Sequence, residues 1–442
     1  MIFLIYFINS HLTDTLITLI TLSQPKTMIQ IGTKQYHHVT WGLALASFLI
    51  FCNLYLFQPM LPFMAQHFSV SETQINWVFA ASTLALSICL VPWAVASESF
   101  GRRRIMLIGL IAIPFINVAM LVSESMIAIV ALRALLGVAL AAFASVAVAY
   151  MVEELSETAF ARAIGTYIAA NSLGGIFGRI AGGMLTEHLG WQYAVLAIAL
   201  FTFAGALLVI RLLPSQRNFT PQRGMLRYHN KALIKHVQNP TLWLAMLIGG
   251  INFALFVNLY SVMGFRLVAA PHNLPIGLAS LIFLCYLAGT LSSKLTSTWS
   301  KRYSPISGII AGSIISLLGM CIAYIDSLWA MILGLMCISF GAFFTHTLAY
   351  SWVSRKATQA KATATALYLV HYYIGGSLGG FFLIYCWQHA GWYGVMQGGS
   401  ALYLGLFFLS YRLAMHDKRL SQDKPQGGKS AILAANSNLE AK

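Results

Sequence analysis

The sequence predicts an all-α polytopic membrane protein with twelve transmembrane helices in two pseudo-symmetric six-helix halves. Composition, span-length apolar runs and an internal repeat carry that prediction. The chain is 58% hydrophobic and 9% charged, where a soluble globular chain carries about 25% charged residues. A spanning helix needs roughly 20 mostly apolar residues. Such runs fall at about 40–63, 76–97, 104–122, 126–151, 161–185, 191–212, 240–263, 276–296, 305–324, 328–350, 361–385 and 392–414, here spans 1 to 12 in order. The repeat sets GTYIAANSLGGIFGRIAGG, Gly165–Gly183, against ALYLVHYYIGGSLGGFFLI, Ala366–Ile384. Tyr167 matches Tyr368. Gly174, Gly175 and Gly178 match Gly375, Gly376 and Gly379. Gly190-Trp191 matches Gly391-Trp392.

Two parallel membrane halves place a pathway between them, which is the architecture of a secondary transporter. The expected domains are an extension at 1–35, a first half at 36–212, a basic linker at 213–239, a second half at 240–415 and a polar tail at 416–442. Residues 1–27 are apolar but broken by Asn9, His11 and Asp14, with no basic lead and no cleavage site. They read as a start assigned too early, with Met28 following, or as an interfacial helix. The linker carries Arg217, Arg223, Arg227, Lys231 and Lys235 without an acid. It reads as a cytoplasmic connector with an amphipathic helix on the lipid surface. The tail reads as disordered.

The net charge of +15 suits nucleic acid or a membrane surface, and position decides between them. Arg133, Arg179 and Lys294 lie inside spans. Of the other lysines and arginines, an inside N-terminus leaves only Arg266 on the outer side. That bias puts both termini in the cytoplasm, excludes nucleic acid as the partner and adds contacts to anionic lipids. The six cysteines all sit in or beside spans, so no disulfide framework is expected. Nothing in the residues calls for a metal or another cofactor.

Intramembrane polar groups are the candidate functional residues, because each is expensive there. Span 4 holds Arg133 in AIVALRALLGVALAA, and span 5 holds Arg179. The opposed directions of these spans bring both arginines to similar depth, along with Gln58 of span 1. No Asp or Glu lies mid-span, so neither cation has an intramembrane carboxylate. They are to be satisfied by carbonyls and by side chains such as Gln58, Asn53 and Asn171, or they await an anionic substrate. The competing reading of Arg133 is a side chain snorkelling to the interface. Asn252 and Asn258 mark span 7. His346 of span 10 and His371 of span 11 are the intramembrane groups that titrate near neutrality. Taken singly, each reads first as a hydrogen-bonded structural histidine. In span 5, Asn171, Gly175, Gly178 and Gly182 form one helical stripe that lets another helix approach closely.

Two motifs carry a resemblance. AVASESFGRRRIM, 94–106, is similar to the G-x-x-x-D-x-x-G-R-[KR] loop of the major facilitator superfamily. Gly101, Arg102 and Arg103 fall in place, while Glu98 replaces the Asp and Ala94 replaces the first Gly. Span 5 resembles the antiporter signature G-x8-G-x3-G-P-x2-G-G, with Gly165, Gly174, Gly178, Gly182 and Gly183 in register and Arg179 at the proline. These strings, with LFQPMLP at 56–62, resemble the YnfM-type inner-membrane transporters of bacteria. The resemblance spans about 36–415 and implies twelve helices, alternating access and proton antiport of a drug or sugar across the inner membrane. It makes Glu98 with Gly101, Arg102 and Arg103 a cytoplasmic gate, and it sets the span-5 stripe against the opposite half. The usual span-1 or span-4 carboxylate is missing, so Glu98, Glu153, Glu154, His346 or His371 is left to carry the proton. The alternatives are an organic-anion carrier or uncoupled facilitator using Arg133 and Arg179, and a sensor without transport. HExxH, GxSxG and P-loop lysine motifs are absent, which argues against an enzyme. One chain already holds both halves of a pathway, so a monomer is expected.

Overall fold

A computed structural model describes residues 28–221, 226–357 and 359–422. Those residues are almost wholly helical. Among the described residues, ten helices are long and apolar enough to cross a membrane. The difference from twelve arises at two places. Glu157–Leu189, the helix of span 5, is 33 residues long but is not among the ten. Its glycines, Asn171 and Arg179 dilute the hydropathy. The last helical stretch, Lys361–Gln422, counts once. At about 1.5 Å per residue it far exceeds a bilayer of about 30 Å. It breaks at Ala390 and Gly391, where φ is −142° and +56°.

The same break closes span 5. Gly190 has φ of +85°, a conformation that a side chain resists. Trp191 and Trp392 follow the two glycines and both are buried. The repeated Gly-Trp is therefore a reversal plus an anchor. Gly101 has φ of +98° and separates span 2, Glu72–Phe100, from span 3, Arg102–Leu121.

Spans 1 to 6 pack on one another, as do spans 7 to 12. Between the halves, span 2 meets span 11, span 5 meets span 8, and the short helix Leu61–His67 after span 1 meets span 7. Loops rich in Lys and Arg gather at one end, here the basic end. The glycine stripe does not face the opposite half as expected. A Cβ at Gly174, Gly178 or Gly182 would run into the backbone of Phe48, Cys52 or Leu56 in span 1. In span 11, Gly375 and Gly379 meet Gly250 and Ala254 of span 7 in the same way. The stripes seal each half internally. Gly183, one residue round the helix, is the motif glycine that touches span 8, at Ser280 and Ile276.

The expectations for residues 1–27 and for the tail beyond 422 lie outside the described residues. Ile29 pairs in strand fashion with Leu155 beyond span 4. The linker contains the helix Leu226–Gln238. Burial holds the His236 imidazole below its usual range, opposed by a hydrogen bond with the Ala360 backbone.

Candidate functional site: a buried arginine clasp on the seam

Arg133 is 0% exposed, which removes the snorkelling alternative. Its Nε donates to Val78 O at 2.9 Å, and Nη1 to Asn53 O at 3.2 Å. Its Nη2 donates to Leu54 O at 2.9 Å and Ser82 Oγ at 2.7 Å. The Phe57 ring lies 4.5 Å away. All of these belong to spans 1 and 2 and their ends. Arg133 therefore braces span 4 within its own half, and four of its five N–H donors are taken. Asn53 extends the brace, donating to Leu49 O and Thr202 Oγ1 and accepting from Asn117.

Arg179 is 1% exposed and does something different. Its Nε donates to Gln58 Oε1 at 2.7 Å, Nη1 to Gly175 O at 3.0 Å and Nη2 to Tyr286 Oη at 3.1 Å. Tyr55, Tyr286 and Phe283 surround the guanidinium at 3.6, 4.5 and 5.0 Å from their ring centroids. Gln58 Nε2 donates onward to Val257 O at 2.7 Å and Ser261 Oγ at 2.8 Å. Spans 1 and 5 of the first half are thereby tied to spans 7 and 8 of the second. Charge-assisted bonds and desolvated cation–π contacts of about 2 kcal/mol make this a strong local joint. A proline at this position would supply neither charge nor donors.

Other bonds cross the seam. Thr83 and Ser377 share one of 2.8 Å, and Ser87 Oγ donates to Val370 O. Far from the basic end, Glu72 accepts from Trp387 and Gln388, and Glu187 accepts from the Gly277 N–H. A Cβ at Gly380 would press on the Asn76 amide and on Asn258 Oδ1, which are buried and without hydrogen-bond partners among the described residues.

The remaining expected residues separate into neighbourhoods. The structure does not bring Asn171 to Arg179. Asn252 donates to Ala342 O, and Asn258 to Ala254 O and Gly376 O, which holds the second half together. His346 Nδ1 lies 3.1 Å from Tyr368 Oη, under Tyr372 at 4.2 Å between ring centroids. His371 Nδ1 lies 2.8 Å from Leu367 O in its own helix. Lys294 is exposed. At the basic end Arg102 pairs with Glu153 at 3.0 Å and bonds Ser97. Arg103 caps span 6 through Leu213 O and Ile210 O, while its amide bonds Gln216. Glu98 stands half-buried at the end of span 2. Sequence reasoning missed Tyr55, Phe283 and Ser261. An aromatic or a serine in an apolar span gives no signal until a partner is known.

Two helical bundles joined through a buried polar seam define a membrane transporter, and the comparisons agree. The Major Facilitator Superfamily model matches residues 43–380. The chain is 32% identical over 401 residues to the uncharacterized MFS-type transporter YybF of Bacillus subtilis (strain 168), covering 89% of this chain and 98% of that one. It is 32% identical over 381 residues to the inner membrane transport protein YnfM of Escherichia coli (strain K12), covering 85% and 90%. A solved bacterial homolog of the human lysosomal transporter Spinster, inward-facing and unoccupied, matches with a TM-score of 0.70 at 15% identity, covering 87% of this chain and 98% of that one. The chain belongs to the major facilitator superfamily. It is a multi-pass secondary transporter that moves a small molecule by alternating access.

Proposed function

We propose that the protein exports a small organic solute from a bacterial cell in exchange for protons, as a monomer in the inner membrane with both termini cytoplasmic. The observation that carries this reading is the span-5 helix. It keeps the glycine register of the antiporter signature, and Arg179 at its proline position clasps the two halves together. In this arrangement the end opposite the basic loops is held shut, which corresponds to an inward-facing state. Solute entering from the cytoplasm would meet a chamber closed above by the Arg179 joint. Rocking of the halves breaks that joint and exposes the chamber to the other side. His346 is our candidate proton carrier, since it is the span-10 histidine set among the second-half tyrosines.

The test is reconstitution in liposomes with an internal pH dye. A panel of dyes, sugars, nucleosides and organic acids is added with and without a pH gradient. Solute-dependent proton movement that weakens in His346→Gln is the expected result. Solute flux without any proton movement would remove antiport and leave a facilitator.

A further inference from the structure

We infer that the transported solute is an aromatic carboxylate, its ring held among tyrosines and its charge directed at Arg179. The inference rests on the transport reading above and names the substrate class of that same chamber.

Two independent features of the chamber lead there. The first is its wall. Tyr55 of span 1 and Tyr167 of span 5 come from the first half. His346, Tyr350, Tyr372 and Tyr373 come from spans 10 and 11 of the second. Thr83 and Ser87 of span 2 bond Ser377 and Val370 of span 11, on either side of Tyr372 and Tyr373, so that stretch of span 11 lies on the seam. His346, Tyr350 and Tyr372 keep part of their surface open although side chains of neighbouring spans surround them. Open aromatic surface inside a bundle lines an internal space. Such a wall offers stacking and hydroxyl hydrogen bonds, which suit a flat ring.

The second feature is charge. The chamber's closed end is Arg179, packed directly on Tyr55. Three of its five N–H donors have acceptors among the described residues. All of those acceptors are neutral. Every Asp and Glu of the chain lies in a loop, a tail or a span end. A buried guanidinium without a counter-charge is costly, and a carboxylate is its best-matched complement in charge and geometry. Arg133 does not compete for this role, because its donors are spent on spans 1 and 2. A cationic ring would find stacking but an unfavourable field. A neutral ring would find stacking alone.

Binding to the full-length protein in detergent, followed by titration calorimetry, separates ring from charge. The probes are 2-naphthoate, 2-naphthamide, 2-naphthylmethylamine and cyclohexanecarboxylate. The expected order places 2-naphthoate about tenfold or more ahead of each of the others. Arg179→Gln should bring 2-naphthoate down to the level of the amide. Arg179→Lys should keep the preference for the anion, and Tyr372→Leu should weaken all three naphthyl compounds alike. Equal binding of the amide or amine overturns the inference, as does an anion preference that survives in Arg179→Gln. The wild-type series decides the matter even where a variant fails to fold. Anion binding without proton movement in liposomes would sink the antiport reading while leaving this one standing.

Discussion

Two arginines of the same expense do different work, and their partners tell them apart. Arg133 spends its donors on backbone carbonyls and Ser82 inside one half. Leaving a buried acceptor without its donor costs about 1–3 kcal/mol. Arg133→Gln should therefore lower the melting temperature in detergent by several degrees and reduce the yield of folded protein. An unchanged melting curve would rule out the brace. Both arginines were legible as anomalies in the sequence, since a cation in an apolar span is rare. Their roles were not legible. The difference lies in whether neighbours come from one half or two, and residue spacing carries no such information.

Among the elements, span 5 shows how one helix serves two interfaces. Gly174, Gly178 and Gly182 let span 1 approach at backbone distance, while Gly183 and Arg179 look toward span 8. Gly165 belongs to the same motif, but a Cβ there would meet nothing within 4 Å. The two positions should respond oppositely to the same change. Gly178→Ala forces spans 1 and 5 apart and should cost folded yield, as overpacking does at about 1–3 kcal/mol. Gly165→Ala removes a helix-interior glycine and should be neutral or stabilising by about 0.5–1 kcal/mol. Size-exclusion profiles and thermal unfolding of the pair check this; equal behaviour would refute the assignment of the stripe to the span 1 contact. The glycine period was readable from the chain. Which neighbour it met was not, because rotation about the helix axis is set by packing.

At the scale of the whole molecule, the Arg179, Gln58 and Tyr286 joint is one of several bonds that close the end far from the basic loops. Removing it should shift the population toward the state open at that end. Spin labels at Gln66 and His389, on a background without native cysteines, read this distance by pulsed resonance. Arg179→Gln should add a longer component that is minor in the parent protein, and Gln58→Leu should add it too. Identical distributions would mean the joint packs the seam without setting its equilibrium. The sequence by itself determined the class of molecule, the two halves, the repeated Gly-Trp pair and the costly side chains. Each of these depends on local apolarity, spacing or backbone strain. Only the tertiary structure decided that the glycine stripes seal within each half and that Arg133 braces one half while Arg179 joins two. It also decided that the tyrosines of spans 10 and 11 gather around His346. Those outcomes follow from how helices rotate and pack against partners far along the chain, and nothing local in the sequence encodes them.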